Sequence, residues 1–499
     1  MGVNIAETGI SPELPVGHEC AMVGVSLDLP DGKIHQLVAS GLDAINHRGQ
    51  EAAGEGSGKE SLQVVKGLGV RGVAIPNEVI SQLPPVSVAF GHTRYSTKGK
   101  SSLLNAQPFA FTDFNIGMNG TVHWTEKAGP DEPTSDTYAI GKKMASIAGS
   151  IVDRYAAATS ELNGAYTLII TNSEGIFVGI DPWGFREYPY GFLNNGMHGS
   201  VVASETVALS KMHANHVGWI QRGQFVQLHP DGPEVLWTDS RINEMPYSPC
   251  SFEPAYFADA ASSSFPEYDG FTNHTTRKEL GRQLAKQHLF QGQSVVPVPN
   301  SGLSYAEGVS EAIGKPINLA IHPNRYIGRN FIKPQTPDER RIAAFQKFNF
   351  IPEQLFGQSI ILVDDSVVRA STLQGLVLTL FDLGVVNIEL LIGVPPIKAP
   401  CYWGVDFARD SELIYAKLQK LFPGTAFEQA LSYYLVGENE ELSERLAIYF
   451  QKIEDYAEIV RPGYAPQEAL SNGCFHCVTG NPPFGVIVDR EDTKERLEI

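Results

Sequence analysis

The sequence predicts two domains of different texture, an α+β layered domain followed by an α/β domain on a doubly wound parallel sheet. Three observations carry this. The 499 residues exceed what one core serves, so two or three domains are expected. From Met22 to about residue 240, short apolar strands (AMVGVSL, SVAFGH, AYTLIITN, GIFVGID, GQFVQLH) alternate with turn signals and two helical stretches, HQLVASGLDAINH and TYAIGKKMASIAGSIVDRYA. After the Pro- and Ser-containing stretch Pro246 to Pro266, helices are followed by buried apolar strands, SVVPVPN, INLAIH, SIILVDDS and IELLIGVPP, the texture of a parallel sheet covered on both faces.

Composition narrows the class of function. With 38 Lys and Arg against 56 Asp and Glu, the formal net charge of -18 disfavours a nucleic-acid surface, which needs clustered cations. No apolar run approaches the ~20 residues of a spanning helix, and the start, MGVNIAETGISPELPVGHEC, has neither a basic nor an apolar leader region. The expectation is a cytoplasmic protein acting on small molecules, with no nucleic acid and no membrane as partner. Five cysteines, an odd number, argue against a disulfide framework and direct attention to nucleophile or metal roles.

In the second half, SIILVDDSVVRASTLQGLVLTLFDLG reads as strand, polar turn and amphipathic helix. Such a turn holds an anionic phosphate through backbone N–H groups and the positive end of the helix dipole. Asp364 and Asp365 are placed to accept from the two hydroxyls of a ribose, and Ser366, Arg369, Ser371 and Thr372 to donate to a 5′-phosphate. This stretch resembles the phosphoribosyl pyrophosphate (PRPP) signature of type I phosphoribosyltransferases. Upstream, VVPVPNSGLSYAEG resembles that family's pyrophosphate loop, with backbone amides near Ser301 and Gly302. Diphosphate chemistry normally uses Mg²⁺, for which Asp364, Asp365 and Ser301 are the candidate ligands. Between the two motifs, Arg325, Arg329, Arg340 and Arg341 suit a flexible lid over phosphates.

In the first half, Cys20 follows GHE and opens the strand AMVGVSL. If the first nineteen residues are removed, thiol and free α-amino group share one residue, and the amine can activate the thiol. The segments NHRGQEAAG, GHTRYSTKGKSSLLNAQPF, MNGTVHW, SDTY, DPWGFRE and VVASETVAL follow in that order. Together they resemble the glutaminase domain of N-terminal-nucleophile amidotransferases. Joined to a phosphoribosyltransferase half, they resemble the amidophosphoribosyltransferase family, from Cys20 to about Pro483.

The resemblance implies a four-layer α+β N-terminal-nucleophile glutaminase domain followed by an α/β parallel-sheet type I phosphoribosyltransferase domain. The expected division is a propeptide over 1–19, the glutaminase over 20–249, the transferase over 250–480 and a charged tail over 481–499. It implies that Cys20 is the nucleophile, that Asn119 and the Gly120 N–H form the oxyanion hole, and that Arg94 and Asp136 hold glutamine's carboxylate and ammonium. His47, Arg48, Asp181 and Arg186 frame that site, with a structural role at least as apt as a chemical one. The implied reaction hydrolyses glutamine through a Cys20 thioester and passes ammonia along an internal channel. The ammonia displaces pyrophosphate from PRPP, giving 5-phosphoribosylamine, the first step of purine synthesis. A homotetramer and feedback by purine nucleotides are implied likewise.

Cys250, Cys401, Cys474 and Cys477 remain, the last two as CFHC. A single C-x-x-C with two distant thiols suits zinc, a redox pair or chance, and spacing alone does not decide. Their contexts resemble the family branch that carries a structural [4Fe-4S] cluster, which four thiolates suit. Several positions depart from the family's pattern: Ala370 for a glycine, Asn300 for an acid, Pro323 and Phe345 for basic residues, FREYPYG for RPLxxG, Met118 for a histidine, Tyr138 for a glutamate and Ala21 for a glycine. They suggest an alternative, a divergent paralogue that keeps the glutaminase but has altered or lost PRPP chemistry.

Overall fold

The computed structural model describes residues 20–95, 102–123, 132–268, 270–324, 345–405, 407 and 409–483. The expected propeptide over 1–19, the four arginines expected in a lid and the part of the charged tail beyond 483 lie outside the described residues. The chain divides into two compact units, one including 278–398 and 409–452, the other 18–277, 399–408 and the stretch from 453 onward. The cysteine-bearing segments around 401 and 474–477 therefore group with the unit that begins beside Cys20. Among the described residues, no helix is long and apolar enough to cross a membrane.

The unit containing Cys20 is built of two antiparallel sheets. One has seven strands in the order Ala214–Ile220, Tyr188–Leu193, Gly199–Ala203, Ala21–Asp31, Val86–Arg94, Ala52–Gly58 and Val64–Leu68. The other has six: Gly232–Thr238, Gln224–His229, Ile176–Ile180, Asn163–Asn172, Phe114–His123 and Phe109–Ala110. Period-two alternation sends successive side chains to opposite faces, and the strand Ala21–Asp31 shows the result. Ala21, Val23, Val25 and Leu27 pack with the helix Ile34–Ala44 in one core. Met22 joins Val88, Phe90, Ile169 and Val178 in another, between the sheets. A third core sets the six-stranded sheet against Ile140, Met144, Ile151 and Tyr155 of two further helices. Helix, sheet, sheet and helix make four layers.

Where one long helix is predicted over TYAIGKKMASIAGSIVDRYA, there are two, Asp136–Ser146 and Ile151–Thr159. Ser150 caps the second in a reciprocal capping box with Asp153, so a polar side chain restarts the helix after Gly149.

The other unit carries a four-stranded parallel sheet, Ser294–Pro297, Ser359–Asp364, Asn387–Ile392 and Leu446–Phe450. Its core joins Ile360, Leu362, Leu390 and Ile392 to the helices Ser371–Asp382, Ile414–Leu421 and Phe427–Leu435. Two details differ from the periodicity reading. The INLAIH segment touches the parallel sheet through a one-residue parallel bridge, Ile317 beside Val295, and then supplies Ile321–Pro323 to an antiparallel pair with Phe348–Phe350; the fourth parallel strand is LAIYF.

Candidate active site

In the Cys20 unit, register sets the geometry. Ala21 pairs with Thr93 and Met22 with His92, so the start of one strand meets the end of its neighbour, where Arg94 stands. The Cys20 thiol donates to the Tyr95 carbonyl at 3.5 Å. Arg94 is buried, with its guanidinium 3.9 Å from Glu51. Asn119 and Gly120 lie on Phe114–His123 in the facing sheet, and Asp136 opens the helix Asp136–Ser146. One Asp136 oxygen accepts from Val122 N–H at 3.1 Å, which brings that carboxylate to the strand of Asn119 and Gly120. Gly120 has φ +140, and a Cβ there would stand 2.1 Å from the Ala165 carbonyl oxygen, so any side chain would force the strands apart.

The framing residues form a buried ionic cluster. Arg48 pairs with Glu205 at 2.7 Å and with Glu253, and His47 meets the same Glu205 oxygen at 2.8 Å. Burial alone would raise the Glu205 carboxyl, but the His47 and Arg48 charges outweigh it and hold it well below the usual carboxylate range. Asp181 accepts N–H bonds from Tyr166, Trp183 and Gly184, while burial pushes it up to about 6. It organises a turn. Arg186 donates to the Trp403 carbonyl at 3.3 Å and lies 3.7 Å from Glu253. Glu205 and Glu253, which anchor these cations, were not assigned roles from the sequence; the acid inside SET was the available signal.

Cys250, Cys401, Cys474 and Cys477 line one cavity together with Phe252 and Trp403. Residues more than 200 positions apart thus meet on one apolar-walled space, Cys250 and Cys474 as a parallel bridge. Burial, with Cys401 nearby, pushes the Cys474 thiol up to about 12, and burial with both neighbours raises Cys477 well above the ordinary thiol range. Among the described residues no group of three or more His, Cys, Asp or Glu is arranged so that it could hold a metal ion. What the cavity does offer is donor chemistry: four thiols, the soft ligands that an iron-sulfur cluster takes. Gly404, on the same loop as Cys401, comes so near Gly120 that a methyl group on it would stand 3.6 Å from the Gly120 Cα.

In the other unit, the strand Ser359–Asp364 delivers the paired acids to a turn that ends at the helix Ser371–Asp382. Ser301 Oγ lies 3.4 Å from Asp364, and Ser366 Oγ donates to Asp365 at 2.7 Å. Enclosure, and then the Asp365 carboxylate beside it, raises Asp364 well above the usual range. Hard oxygen donors with excess negative charge fit Mg²⁺. Ser371 and Thr372 occupy the first turn of the helix, and Gly302 sits before the helix Leu303–Ile313 with its N–H donating to Val298. Ala370 adopts φ 62, ψ -2, a left-handed conformation that explains why a glycine is the family's usual residue. Arg369 donates to Glu412 at 2.8 Å, a partner the sequence reading missed.

No family model matches the chain. Among curated proteins, the amidophosphoribosyltransferase of Methanothermobacter thermautotrophicus is 33% identical over 420 residues, covering 81% of this chain and 86% of the relative. That of Synechococcus elongatus is 30% identical over 497 residues, covering 95% and 93%. Among solved structures, a glutamine PRPP amidotransferase from B. subtilis complexed with ADP and GMP matches with TM-score 0.78 and 26% identity, over 93% of this chain and 97% of that one. A structure described as the allosteric regulatory enzyme of purine biosynthesis matches with TM-score 0.79 and 26% identity, over 94% and 97%.

Proposed function

This chain belongs to the amidophosphoribosyltransferase family, and on that premise we propose how its own residues divide the reaction. Its activity is the glutamine-dependent amination of PRPP that opens purine biosynthesis. No observation favours the paralogue that has lost transferase activity.

On this reading, loss of residues 1–19 frees the Cys20 α-amino group, which takes the thiol proton. The thiolate attacks the carboxamide carbon of glutamine. Negative charge on the former carbonyl oxygen is met by the Asn119 amide and the Gly120 N–H, and collapse of the adduct expels ammonia and leaves a thioester. Water hydrolyses the thioester to glutamate. Arg94 takes the substrate's carboxylate through its guanidinium fork, and Asp136 its ammonium. Ammonia then attacks C1 of PRPP with inversion, and pyrophosphate leaves. Asp364 and Asp365 hold the ribose hydroxyls, Ser366, Arg369, Ser371 and Thr372 the 5′-phosphate, and the Ser301 amide the departing diphosphate, the Gly302 N–H being already given to the Val298 carbonyl at 2.9 Å.

Mg²⁺ held by Asp364, Asp365 and Ser301 would neutralise charge on the leaving oxygens. Cys250, Cys401, Cys474 and Cys477 would hold a [4Fe-4S] cluster as a structural tie. Among the described residues no disulfide joins the five cysteines, in keeping with the reducing, cytoplasmic setting of this reading. The nucleotides named with the B. subtilis structure support purine nucleotides as inhibitors here, and the family resemblance supports a homotetramer.

The observation that carries the glutaminase assignment is the Cys20 thiol bonded to the Tyr95 carbonyl, one residue past Arg94. Cys20→Ala tests it: glutamine-dependent pyrophosphate release is lost while ammonia-dependent release continues. Retention of the glutamine-dependent rate in that variant would remove Cys20 from the mechanism.

A further inference from the structure

The two amide atoms of Asn119 are treated unequally. The side chain is 1% exposed; Nδ2 donates to the Tyr188 hydroxyl at 3.2 Å, while Oδ1, equally buried, has no partner among the described residues. A buried amide oxygen left in this state is costly and calls for an explanation.

The hydrogen-bond run beyond Tyr188 supplies one. The Tyr188 hydroxyl lies 2.8 Å from Ser204 Oγ, which accepts from Met22 N–H at 2.8 Å and lies 3.2 Å from the Met22 carbonyl. Two hydroxyls thus connect Asn119 to the backbone two residues from Cys20. Protons can be ordered along this run in two senses. In one, Ser204 donates to the Met22 carbonyl, Tyr188 donates to Ser204, and Asn119 donates to Tyr188, which strands Oδ1. In the other, Ser204 donates to Tyr188 and Tyr188 donates to Asn119. The Met22 carbonyl gives up the Ser204 hydroxyl but stays paired, because it also accepts the Ser204 backbone N–H at 2.9 Å. The amide atom facing Tyr188 is then Oδ1, and Nδ2 takes the buried place where the oxygen stood, so the unmet group becomes a donor that a substrate oxyanion can satisfy. Amide oxygen and nitrogen are nearly isosteric, so the turn needs no repacking. Burial raises the Tyr188 phenol, keeping it protonated and able to donate.

We propose that Tyr188 is a positioning residue of the glutaminase: its hydroxyl, oriented by Ser204, fixes the sense of the Asn119 amide so that Nδ2 is presented to the developing oxyanion. The proposal rests on the reading of Asn119 as an oxyanion donor. With the opposite sense an acceptor would face the negative charge, so the reaction needs the amide fixed one way. Tyr188 stands within FREYPYG, one of the places where this chain departs from the pattern of the family it resembles.

The test compares Tyr188→Phe, Asn119→Ala and the double variant in the full-length enzyme. Tyr188→Phe keeps the ring and removes only the hydroxyl; kcat for glutamine hydrolysis is expected to fall about tenfold or more, with KM for glutamine within about twofold. The double variant should be no slower than Asn119→Ala alone, because without the amide there is nothing to orient. An unchanged kcat in Tyr188→Phe, or a double variant slower by the product of the two single losses, overturns the proposal. Full glutaminase activity in Asn119→Ala instead overturns the oxyanion reading beneath it. If Tyr188→Phe does not fold, Ser204→Ala serves: it removes the orienting donor with the phenol in place, and the same drop in kcat at constant KM is expected, an unchanged kcat being contrary.

Discussion

His92 Nε2 donates to the Met118 carbonyl across 3.1 Å, tying the strand that ends at Arg94 to the strand that carries Asn119. Burial, with the Arg94 and Lys66 charges nearby, holds this imidazole down to about 3. It is neutral, and its one proton is the one donated.

Between pH about 6.5 and 3, therefore, the unfolded chain takes up a proton at His92 that the folded chain refuses, and stability falls as pH falls, by at most ~1.4 kcal/mol per pH unit. Asp181 and Glu187, raised by burial to about 6 and about 7, act in the opposite sense, since the folded form binds their protons first. The difference between wild type and His92→Gln isolates the imidazole. Urea midpoints taken from pH 7.5 to 5 should fall less steeply in the variant; parallel slopes would contradict the assignment.

Ala370→Gly removes a methyl group from a left-handed position at φ 62. A non-glycine residue there costs roughly 1–2 kcal/mol, and glycine returns roughly 0.5–1 of that as greater freedom in the unfolded chain. Thermal unfolding should show a gain of up to about 1 kcal/mol, and KM for PRPP should not rise. A clear loss of stability would mean that the methyl group contributes packing that outweighs the backbone.

The Arg369–Glu412 pair sets a carboxylate beside a cation proposed for phosphate. Glu412→Gln keeps the shape and removes the charge. A partly exposed pair of this kind involves about 1 kcal/mol, so KM for PRPP is expected to fall up to about fivefold in steady-state assays. A rise would show that Glu412 holds Arg369 in its working position.

For the four thiols, protein purified without air should contain about four iron atoms per chain by elemental assay and be brown. Cys474→Ser should lower that content sharply. One zinc per chain and no iron would assign a different metal.

Local pattern carried the sequence reading far. The strands and the fold class follow from alternation and turn signals, and the phosphate turn from a strand running into a helix. Where local rules compete, local pattern is insufficient: Ser150 restarts a helix inside an otherwise continuous period, and INLAIH, bounded by Pro316 and Pro323, meets the parallel sheet at Ile317 beside Val295 before turning into an antiparallel pair. Ala370 was visible as a departure, but its reason is a dihedral angle that only coordinates supply. The least legible features are tertiary. Glu412 beside Arg369, Tyr188 beside Asn119 and Gly404 beside Gly120 join positions 43, 69 and hundreds of residues apart, beyond any spacing rule. The four cysteines became neighbours in the sequence reading only through family likeness.

The strand that follows Cys20 is enclosed on both faces, Val23 and Val25 by one core and Met22 by another. A segment so held opens only when its whole neighbourhood does. Cys20, the nucleophile proposed here, is therefore joined to a fixed post, and the timing of substrate entry and product exit falls to segments elsewhere in the chain. In a deuterium-labelling experiment the amides of Val23 and Val25 would act as a clock for global unfolding and stay silent through turnover.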